Sequence, residues 1–312
     1  MTAVLAIHGG AGVRAEAAQD PALRAAIHAG LATALRAGHA VLAGGGGALD
    51  AVVAAVCALE DNPLFNAGRG AVLTTDGRPE MDAAVMRGTD RAAGAVASIC
   101  GPRNPVRVAR AVLDAAPVML VAEGALRFAC TAGLPFEPES YFVTENRQAA
   151  LGREMERREK GLPDDRDDYS KHGTVGAVAR DASGGLAAAT STGGLTGKAP
   201  GRVGDTPVFG SGTWADDTVA VSCTGDGEVF IRHAAAHELS ARLRYTAATL
   251  AEAAEAMAIE LAKARGSGGL IAVGREGDPV LPFNSAGMYR GIIGTDGVPR
   301  VAIHREALAF AQ

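Results

Sequence analysis

The threonine at position 174 has the surroundings of a nucleophile that a chain cut would expose. Gly173 precedes it, an apolar run follows it, and a densely charged stretch lies upstream. Cleavage between Gly173 and Thr174 would give Thr174 a free α-amino group beside its own hydroxyl. Such a residue attacks as a nucleophile with its own amine as the base, so it needs no histidine. The sequence therefore predicts a precursor whose working form is two chains.

A cation and an anion stand three residues apart in a glycine-flanked loop downstream of Thr174. Arg202 could bind an α-carboxylate through two parallel hydrogen bonds, and Asp205 could accept hydrogen bonds from an α-ammonium group. Taken alone, the pair also fits a salt bridge within the loop. These residues therefore predict either an amino-acid site or a structural ion pair.

A further polar segment, Ser222 to Glu228, ends a predicted strand and opens a predicted helix. Thr224 and the backbone N–H of Gly225 could stabilise a developing oxyanion. A helix N-cap followed by a turn glycine explains the same two residues. The order and spacing of these segments after the Gly-Thr junction favour a catalytic site.

Strands and helices fall in two groups that must hold these residues. In the first half the patterns predict strands at 3–8, 70–74, 82–86, 93–99 and 118–121, and helices at 21–42, 49–59, 105–115 and 122–132. In the second half they predict strands at 174–180, 185–189, 219–223, 269–273 and 286–292, and helices at 228–243 and 246–265. Helix pairs in each half favour an α/β fold built as a four-layer α-β-β-α sandwich.

The residues from 147 to 171 form the most densely charged part of the chain and predict a solvated helix followed by a loose linker. A flexible segment at about 147–173 would end where Thr174 begins. The predicted cut gives an α subunit of residues 1–173 and a β subunit of residues 174–312, which together form one structural domain. Gly173 is expected to adopt the strained backbone that self-cleavage requires.

Composition excludes several classes of function. The net charge of −5 argues against a nucleic-acid surface, and no apolar run approaches the roughly 18 residues of a membrane span. The glycine-rich turn after the first strand lacks the acidic residue of a dinucleotide site about twenty positions on. Four widely spaced cysteines predict reduced thiols. We expect a cytoplasmic protein with a small-molecule substrate and no nucleic-acid or membrane partner.

Six segments resemble the plant-type asparaginase and isoaspartyl peptidase family of N-terminal nucleophile hydrolases. They are HGGAG at 8–12, NPLFNAG at 62–68, HGTVGAV at 172–178, STGG at 191–194, GRVGD at 201–205 and SCTG at 222–225. The likeness covers residues 1 to about 292. It implies the N-terminal nucleophile version of the four-layer fold, self-cleavage before Thr174, and hydrolysis of L-asparagine and β-aspartyl dipeptides through an ester on that residue.

The resemblance also implies roles for single residues. Thr174 would be the nucleophile, Thr192 its hydrogen-bond partner, and Asn66 a residue that approaches it from the first half. Thr224 and the N–H of Gly225 would form the oxyanion hole.

Substrate and ion binding follow from the same resemblance. Arg202 would bind the substrate α-carboxylate, Asp205 its α-ammonium group, and Gly227 would line the pocket. The family implies no organic cofactor, a dimer of processed αβ heterodimers, and a structural sodium ion held by backbone carbonyls. The implied sodium ligands are Leu59, Glu60, Asn62, Phe65, Ala67 and Arg69.

Asp226 departs from the family pattern, in which a small or hydroxyl residue is common beside the oxyanion hole. Because an inward carboxylate would oppose negative charge there, we expect it to point to solvent. The nearest alternative function is a glycosylasparaginase, although that branch has Asp before the nucleophile where this chain has Gly173. A taspase-type endopeptidase would need longer insertions. A catalytically inactive small-molecule binding homologue is the alternative from another class.

Overall fold

A computed structural model of the chain describes residues 1–12, 20–163 and 173–311. Two β-sheets stack face to face, and helices cover the outer face of each. The predicted four-layer α-β-β-α order is thereby confirmed. Of the helices in the described ranges, none is long and apolar enough to cross a membrane.

The larger sheet contains strands from both sides of the predicted cut. The strands in chain order are β1 (Val4–Ala11), β2 (Met81–Arg87), β3 (Ala93–Ile99), β4 (Met119–Val121), β5 (Val175–Arg180), β6 (Leu186–Thr192), β7 (Thr213–Ala215), β8 (Val219–Gly225), β9 (Gly268–Gly274), β10 (Met288–Ile293), β11 (Arg300–Ala302) and β12 (Ala309–Phe310). Nine of them form the sheet β12-β11-β10-β1-β5-β6-β2-β3-β4, and the other three form the sheet β7-β8-β9. All pairs are antiparallel except β3 and β4.

The four helices at 21–43, 48–60, 105–113 and 122–131 cover the larger sheet, and helices after the cut cover the smaller one. The helices in chain order are α1 (Pro21–Ala43), α2 (Ala48–Glu60), α3 (Pro105–Leu113), α4 (Ala122–Thr131), α5 (Glu139–Phe142), α6 (Glu145–Glu159), α7 (Gly227–His233), α8 (Ala235–Tyr245) and α9 (Leu250–Lys263). Local sequence explains where α1 begins. The carboxylate of Asp20 accepts from the N–H of Ala22, and Pro21 occupies the first helical position, where no N–H is needed.

Three apolar cores separate the four layers. Strand β1 shows how one strand serves two of them, because its side chains alternate between its faces. Leu5 and Ile7 pack under the helices of the first half, whereas Val4 and Ala6 pack between the sheets. A third core lies between the smaller sheet and helices α7 to α9.

Two predicted elements are wrong. Residues 70–74 form no strand; they follow a 3₁₀ turn at Gly68–Gly70 and make only isolated bridges. The predicted helix at 228–243 is two helices, because Ala234 adopts a left-handed conformation with φ 45° and ψ 47°. No glycine or proline marks that break in the sequence. Three short strands, β7, β11 and β12, were not predicted.

The charged stretch forms helix α6, as predicted, but it is not simply a solvated helix. Arg147 is 7% exposed and Glu154 is 1% exposed. Arg147 Nε donates to the carbonyl oxygen of Gly70 at 2.6 Å, and both Arg157 and Arg158 donate to the Glu154 carboxylate. Helix α6 is therefore anchored to the body of the protein. The predicted linker beyond it lies largely at 164–172, outside the described residues.

Candidate active site

The hairpin of β5 and β6 brings Thr174 and Thr192 together. Val175 pairs with Ser191 in this antiparallel ladder, so the residue before β5 and the last residue of β6 meet at one end of the sheet. Asp181 fixes the connecting turn, since its carboxylate accepts from the N–H groups at positions 183 and 185. The eighteen-residue spacing of the two threonines thus becomes direct contact.

Thr192 is hydrogen-bonded to both residues of the predicted cleavage site. Its Oγ1 lies 3.2 Å from Thr174 Oγ1, which donates to it, and it donates to the carbonyl oxygen of Gly173 at 3.0 Å. The N–H of Gly194 donates to the same Thr192 oxygen at 2.9 Å. A hydroxyl has one donor and two acceptor positions, so Thr192 is saturated. It is placed to orient the Thr174 hydroxyl and to accept its proton.

The carbonyl of Gly173 receives a second donor from Asn66. Asn66 Nδ2 donates to Gly173 O at 2.7 Å. A Cβ on Gly173 would lie 2.9 Å from Asn66 Cβ, so only a glycine allows this approach. The φ of Gly173 is 159°, at the margin of extended backbone, so the expected strain is not what requires glycine here. Two donors on the carbonyl that would be attacked are the arrangement that stabilises an oxyanion.

Asn66 is itself held by the backbone around it. Its Nδ2 also donates to Gly194 O at 2.8 Å, and its Oδ1 accepts from the N–H of Val72 at 2.8 Å. The carbonyl of Asn66 accepts from the N–H of Gly193 at 3.0 Å. The side chain is 3% exposed. Its amide is therefore preorganised, with no freedom to turn away from Gly173.

One cavity gathers most of the residues predicted for the site. Those that line it are Gly173, Thr174, Thr192, Gly194, Leu195, Arg202, Gly204, Asp205 and Gly225. The cavity leaves about 10 Å³ for the centre of a water molecule, which is room for roughly one water. The Gly173 backbone, whose carbonyl accepts from Asn66, forms part of the wall of this cavity in the uncut chain.

The Arg202 guanidinium forms an ion pair that the sequence did not suggest. Its Nε and Nη2 donate to Glu228 Oε1 at 2.9 and 2.8 Å. Although partial burial opposes ionisation, the hydrogen bonds and charge of Arg202 hold the pKa of Glu228 below its ordinary value. Asp205 is 4% exposed, and a Cβ on Gly227 would lie 3.0 Å from Asp205 Oδ1. The two predicted substrate groups and Gly227 are thus neighbours.

A buried charge pair behind Arg202 was also missed from the sequence. Lys198 and Asp82 are 4% and 0% exposed, and Lys198 Nζ donates to the carbonyl of Glu80 at 2.7 Å. Burial lowers the pKa of Lys198 and raises that of Asp82, while their mutual attraction opposes both shifts. A Cβ on Gly194 would lie 3.0 Å from Lys198 Nζ and 3.3 Å from Arg202 Nη1. Arg202 and Asp205 therefore line the cavity, and Lys198 lies next to its wall at Gly194.

Thr224 and Gly225 end strand β8 beside the last residues of β1, where the sequence predicted a glycine-rich turn and the strand instead continues to Ala11. Thr224 Oγ1 accepts from the N–H of Ala11 at 3.0 Å, which leaves the hydroxyl proton of Thr224 for another acceptor. Asp226 is half-buried, and one of its carboxylate oxygens is hydrogen-bonded. Its Oδ2 accepts from the N–H of Ser267 at 2.7 Å, so the carboxylate is tied to the loop before β9.

The predicted sodium ligands lie outside the cavity, at the end of α2 and in the turn after it. Asn66 belongs to the same loop and connects it to Gly173. The loop is folded tightly over its own carbonyl oxygens. A Cβ on Gly68 would lie 2.4 Å from Glu60 O, and one on Gly70 would lie 2.0 Å from Phe65 O. Neutral backbone oxygens of this kind suit a hard cation of low charge.

Comparison with known proteins accounts for this arrangement. The asparaginase family model matches residues 1–303. The chain belongs to the asparaginase family. An isoaspartyl peptidase of Salmonella typhimurium is 47% identical over 97% of this chain and 99% of its own length, and one of Escherichia coli is 46% identical over 97% of both chains. The human isoaspartyl peptidase/L-asparaginase is 41% identical over 92% of both chains.

The match to the asparaginase family spans both sides of the Gly173–Thr174 bond. It includes the segments that supply Asn66, Thr174, Thr192 and Arg202. The resemblance found from six short segments is thus confirmed over almost the whole chain.

Proposed function

We propose that this protein is a threonine hydrolase that cleaves the side-chain amide of L-asparagine and the isopeptide bond of β-aspartyl dipeptides. The observation that carries the proposal is the contact of Thr174 Oγ1 with Thr192 Oγ1 beside a Gly173 carbonyl held by two donors. Relatives of nearly the same length are named isoaspartyl peptidases. Arg202 and Asp205 at the same cavity supply the charges that an α-amino acid group requires.

Self-cleavage is the first reaction in this proposal. Thr174 Oγ1 attacks the carbonyl carbon of Gly173 as its proton passes to Thr192 Oγ1, while Thr192 gives its own proton to the Gly173 oxygen and Asn66 Nδ2 stabilises the negative charge that develops there. The bond between the Gly173 carbon and the Thr174 nitrogen then breaks as the carbonyl re-forms, and the nitrogen takes up the proton that the Gly173 oxygen releases. The product is an ester between Gly173 and the Thr174 hydroxyl. Water hydrolyses that ester and leaves a carboxylate on Gly173 and a free amine on Thr174.

Removal of the Gly173 end from the cavity then makes room for the substrate. Arg202 binds its α-carboxylate and Asp205 its α-ammonium group. The Thr174 amine accepts the hydroxyl proton as Thr174 Oγ1 attacks the β-carbonyl, and Thr224 and the N–H of Gly225 stabilise the oxyanion. Ammonia or the amino acid leaves with a proton. Water then hydrolyses the β-aspartyl ester and releases aspartate.

Turnover of matched substrates tests this function. Processed wild-type protein should release leucine from β-aspartyl-leucine and ammonia from L-asparagine, and Thr174→Ala should release neither. Release of GlcNAc from GlcNAc-asparagine at a higher kcat/KM than either would instead identify a glycosylasparaginase. Tight aspartate binding without any turnover would identify a non-catalytic homologue.

We also propose that the loop after α2 binds sodium through backbone carbonyl oxygens. The residues would be Leu59, Glu60, Asn62, Phe65, Ala67 and Arg69. The support is the close approach of Gly68 and Gly70 to the oxygens of Glu60 and Phe65. The ion would supply charge that holds this backbone, and through it the Asn66 amide, in one conformation.

The remaining expectations concern the whole molecule. We propose a dimer of processed αβ heterodimers, which light scattering during size-exclusion chromatography would detect as twice the chain mass of 31.5 kDa. We propose a cytoplasmic location, because all four cysteines are free, as in proteins of reducing compartments.

A further inference from the structure

A chain of buried hydrogen bonds runs from the space between the sheets to the backbone of Thr174. His8 Nδ1 lies 2.8 Å from Thr174 O, and His8 Nε2 lies 2.8 Å from Ser222 Oγ. Ser222 Oγ lies 2.8 Å from Thr190 Oγ1, which in turn lies 2.7 Å from Thr213 Oγ1. His8 and these three residues are 0% exposed. We name Ser222, Thr190 and Thr213 the hydroxyl chain.

The carbonyl at the Thr174 end fixes the direction of every bond. A carbonyl only accepts, so His8 Nδ1 carries the proton and Nε2 of the neutral ring accepts. Ser222 therefore donates to His8, Thr190 donates to Ser222, and Thr213 donates to Thr190. Burial lowers the pKa of His8 to about 3, which keeps the ring neutral and this order intact.

Strand geometry explains how four separate strands supply one chain. His8 faces the space between the sheets because it follows Ala6 on the same face of β1. His8 and Thr190 both stand opposite Gly176, which lies between them on β5. A Cβ on Gly176 would lie 2.4 Å from His8 Nε2 and 2.0 Å from Ser222 Oγ. The bonds cross β5 where it has no side chain.

Self-cleavage would leave the hydrogen bond from His8 intact, because it binds the carbonyl of Thr174, which lies after the bond that is cut. Before the cut, the peptide link to Gly173 restrains the nitrogen of Thr174. After the cut, that nitrogen is a free amine and must still reach the hydroxyl of its own residue. Strand β5 begins at Val175, and the His8 side chain holds the carbonyl of the residue before it, Thr174.

We propose that His8, oriented by the hydroxyl chain, is a positioning residue that fixes the backbone of Thr174 once it has become the N-terminal nucleophile. This rests on the proposed function of Thr174. His8 touches neither substrate nor the reacting atoms. It sets the plane of the Thr174 peptide, and with it the directions in which the amine and hydroxyl point. Small errors in such positioning cost a large part of the rate of a chemical step.

Steady-state kinetics of fully processed variants test the proposal. His8→Leu removes both bonds of the ring, and Ser222→Ala removes the donor to its Nε2. For both, kcat on β-aspartyl-leucine should fall by about tenfold or more while KM stays within about threefold, because orientation and not substrate binding is lost. His8→Asn can place an N–H near the Nδ1 position, so its kcat should exceed that of His8→Leu.

Ser240→Ala is the matched control, since Ser240 is a buried hydroxyl on α8 that donates to Asp216 and lies in no part of the site. It should lower the melting temperature as Ser222→Ala does and leave kcat unchanged. Unchanged kcat in both Ser222→Ala and His8→Leu would overturn the proposal, as would an equal loss of kcat in Ser240→Ala. If His8→Leu does not fold, the kcat of Ser222→Ala alone tests the proposal. An inactive but processed wild-type protein would instead refute the proposed function.

Discussion

Thr192 and Asn66 converge on one carbonyl, that of Gly173, from opposite halves of the chain. The family resemblance predicted Thr192 as the hydrogen-bond partner of Thr174 and Asn66 as a residue that approaches the nucleophile. No local signal could show that its amide reaches residue 173, because the contact spans 107 positions.

Charge around Arg202 shows a limit of prediction from local sequence. The Arg202–Asp205 spacing was visible in the sequence. Their neighbours Glu228 and Asp82 lie at a helix start and in a strand far along the chain. Their partnership depends on tertiary folding. Arg202 and Asp205 both line the cavity, which supports a substrate group that carries both charges at this place.

Replacement of Arg202 should separate substrate binding from self-cleavage. Arg202→Ala should lower kcat/KM on β-aspartyl-leucine by about 10- to 100-fold, because a charge-assisted hydrogen bond contributes about 1.5–3 kcal/mol. The loss should lie mainly in KM. Self-cleavage, followed by gel electrophoresis, should keep its rate within about threefold, since Arg202 does not contact Gly173 O.

Glu228→Gln provides the matched control for Arg202→Ala. It removes the charge that pairs with Arg202 and leaves the guanidinium in place. Half-exposed ion pairs contribute little, so kcat/KM should change by less than about fivefold. An equal effect of the two substitutions, or loss of processing in Arg202→Ala, would show that Arg202 has a structural role.

At the level of elements, apolar periodicity predicted the strands and helices that carry the site. The β5–β6 hairpin was visible because Asp, Ser and Gly interrupt two apolar runs. The left-handed Ala234 was not, since alanine favours helix and only tertiary packing overrides that preference. The predicted strand at 70–74 does not form, because the loop before it folds closely over its own carbonyl oxygens and ends in a 3₁₀ turn.

That loop gives a prediction about sodium. If carbonyl oxygens of residues 59–69 bind the ion, NaCl should raise the melting temperature relative to N-methylglucamine chloride at equal ionic strength, because an ion bound only by the folded state stabilises it. Differential scanning fluorimetry measures the shift. Gly68→Ala, which places a methyl group against Glu60 O, should lower stability and abolish the sodium dependence. Identical melting temperatures in the two salts for the wild-type protein would contradict the proposed site.

The whole molecule joins both sides of the predicted cut in one sheet. Strand β5, which follows the cut, lies between β1 and β6, so the two subunits would remain paired through backbone hydrogen bonds after cleavage. The four layers were predictable from two groups of strands and helices. The burial of Arg147 and Glu154 was not, because a charged run usually predicts a solvated surface.

The central claim is that the chain cuts itself before Thr174 and uses that threonine as its nucleophile. Intact-mass spectrometry of the purified protein over time tests it most directly. Wild-type protein should convert from one species near 31.5 kDa to two fragments that begin at Met1 and Thr174, whereas Thr174→Ala should stay intact. A wild-type chain that hydrolyses β-aspartyl-leucine while uncut, or a Thr174→Ala chain that is cut at the same bond, would contradict the account.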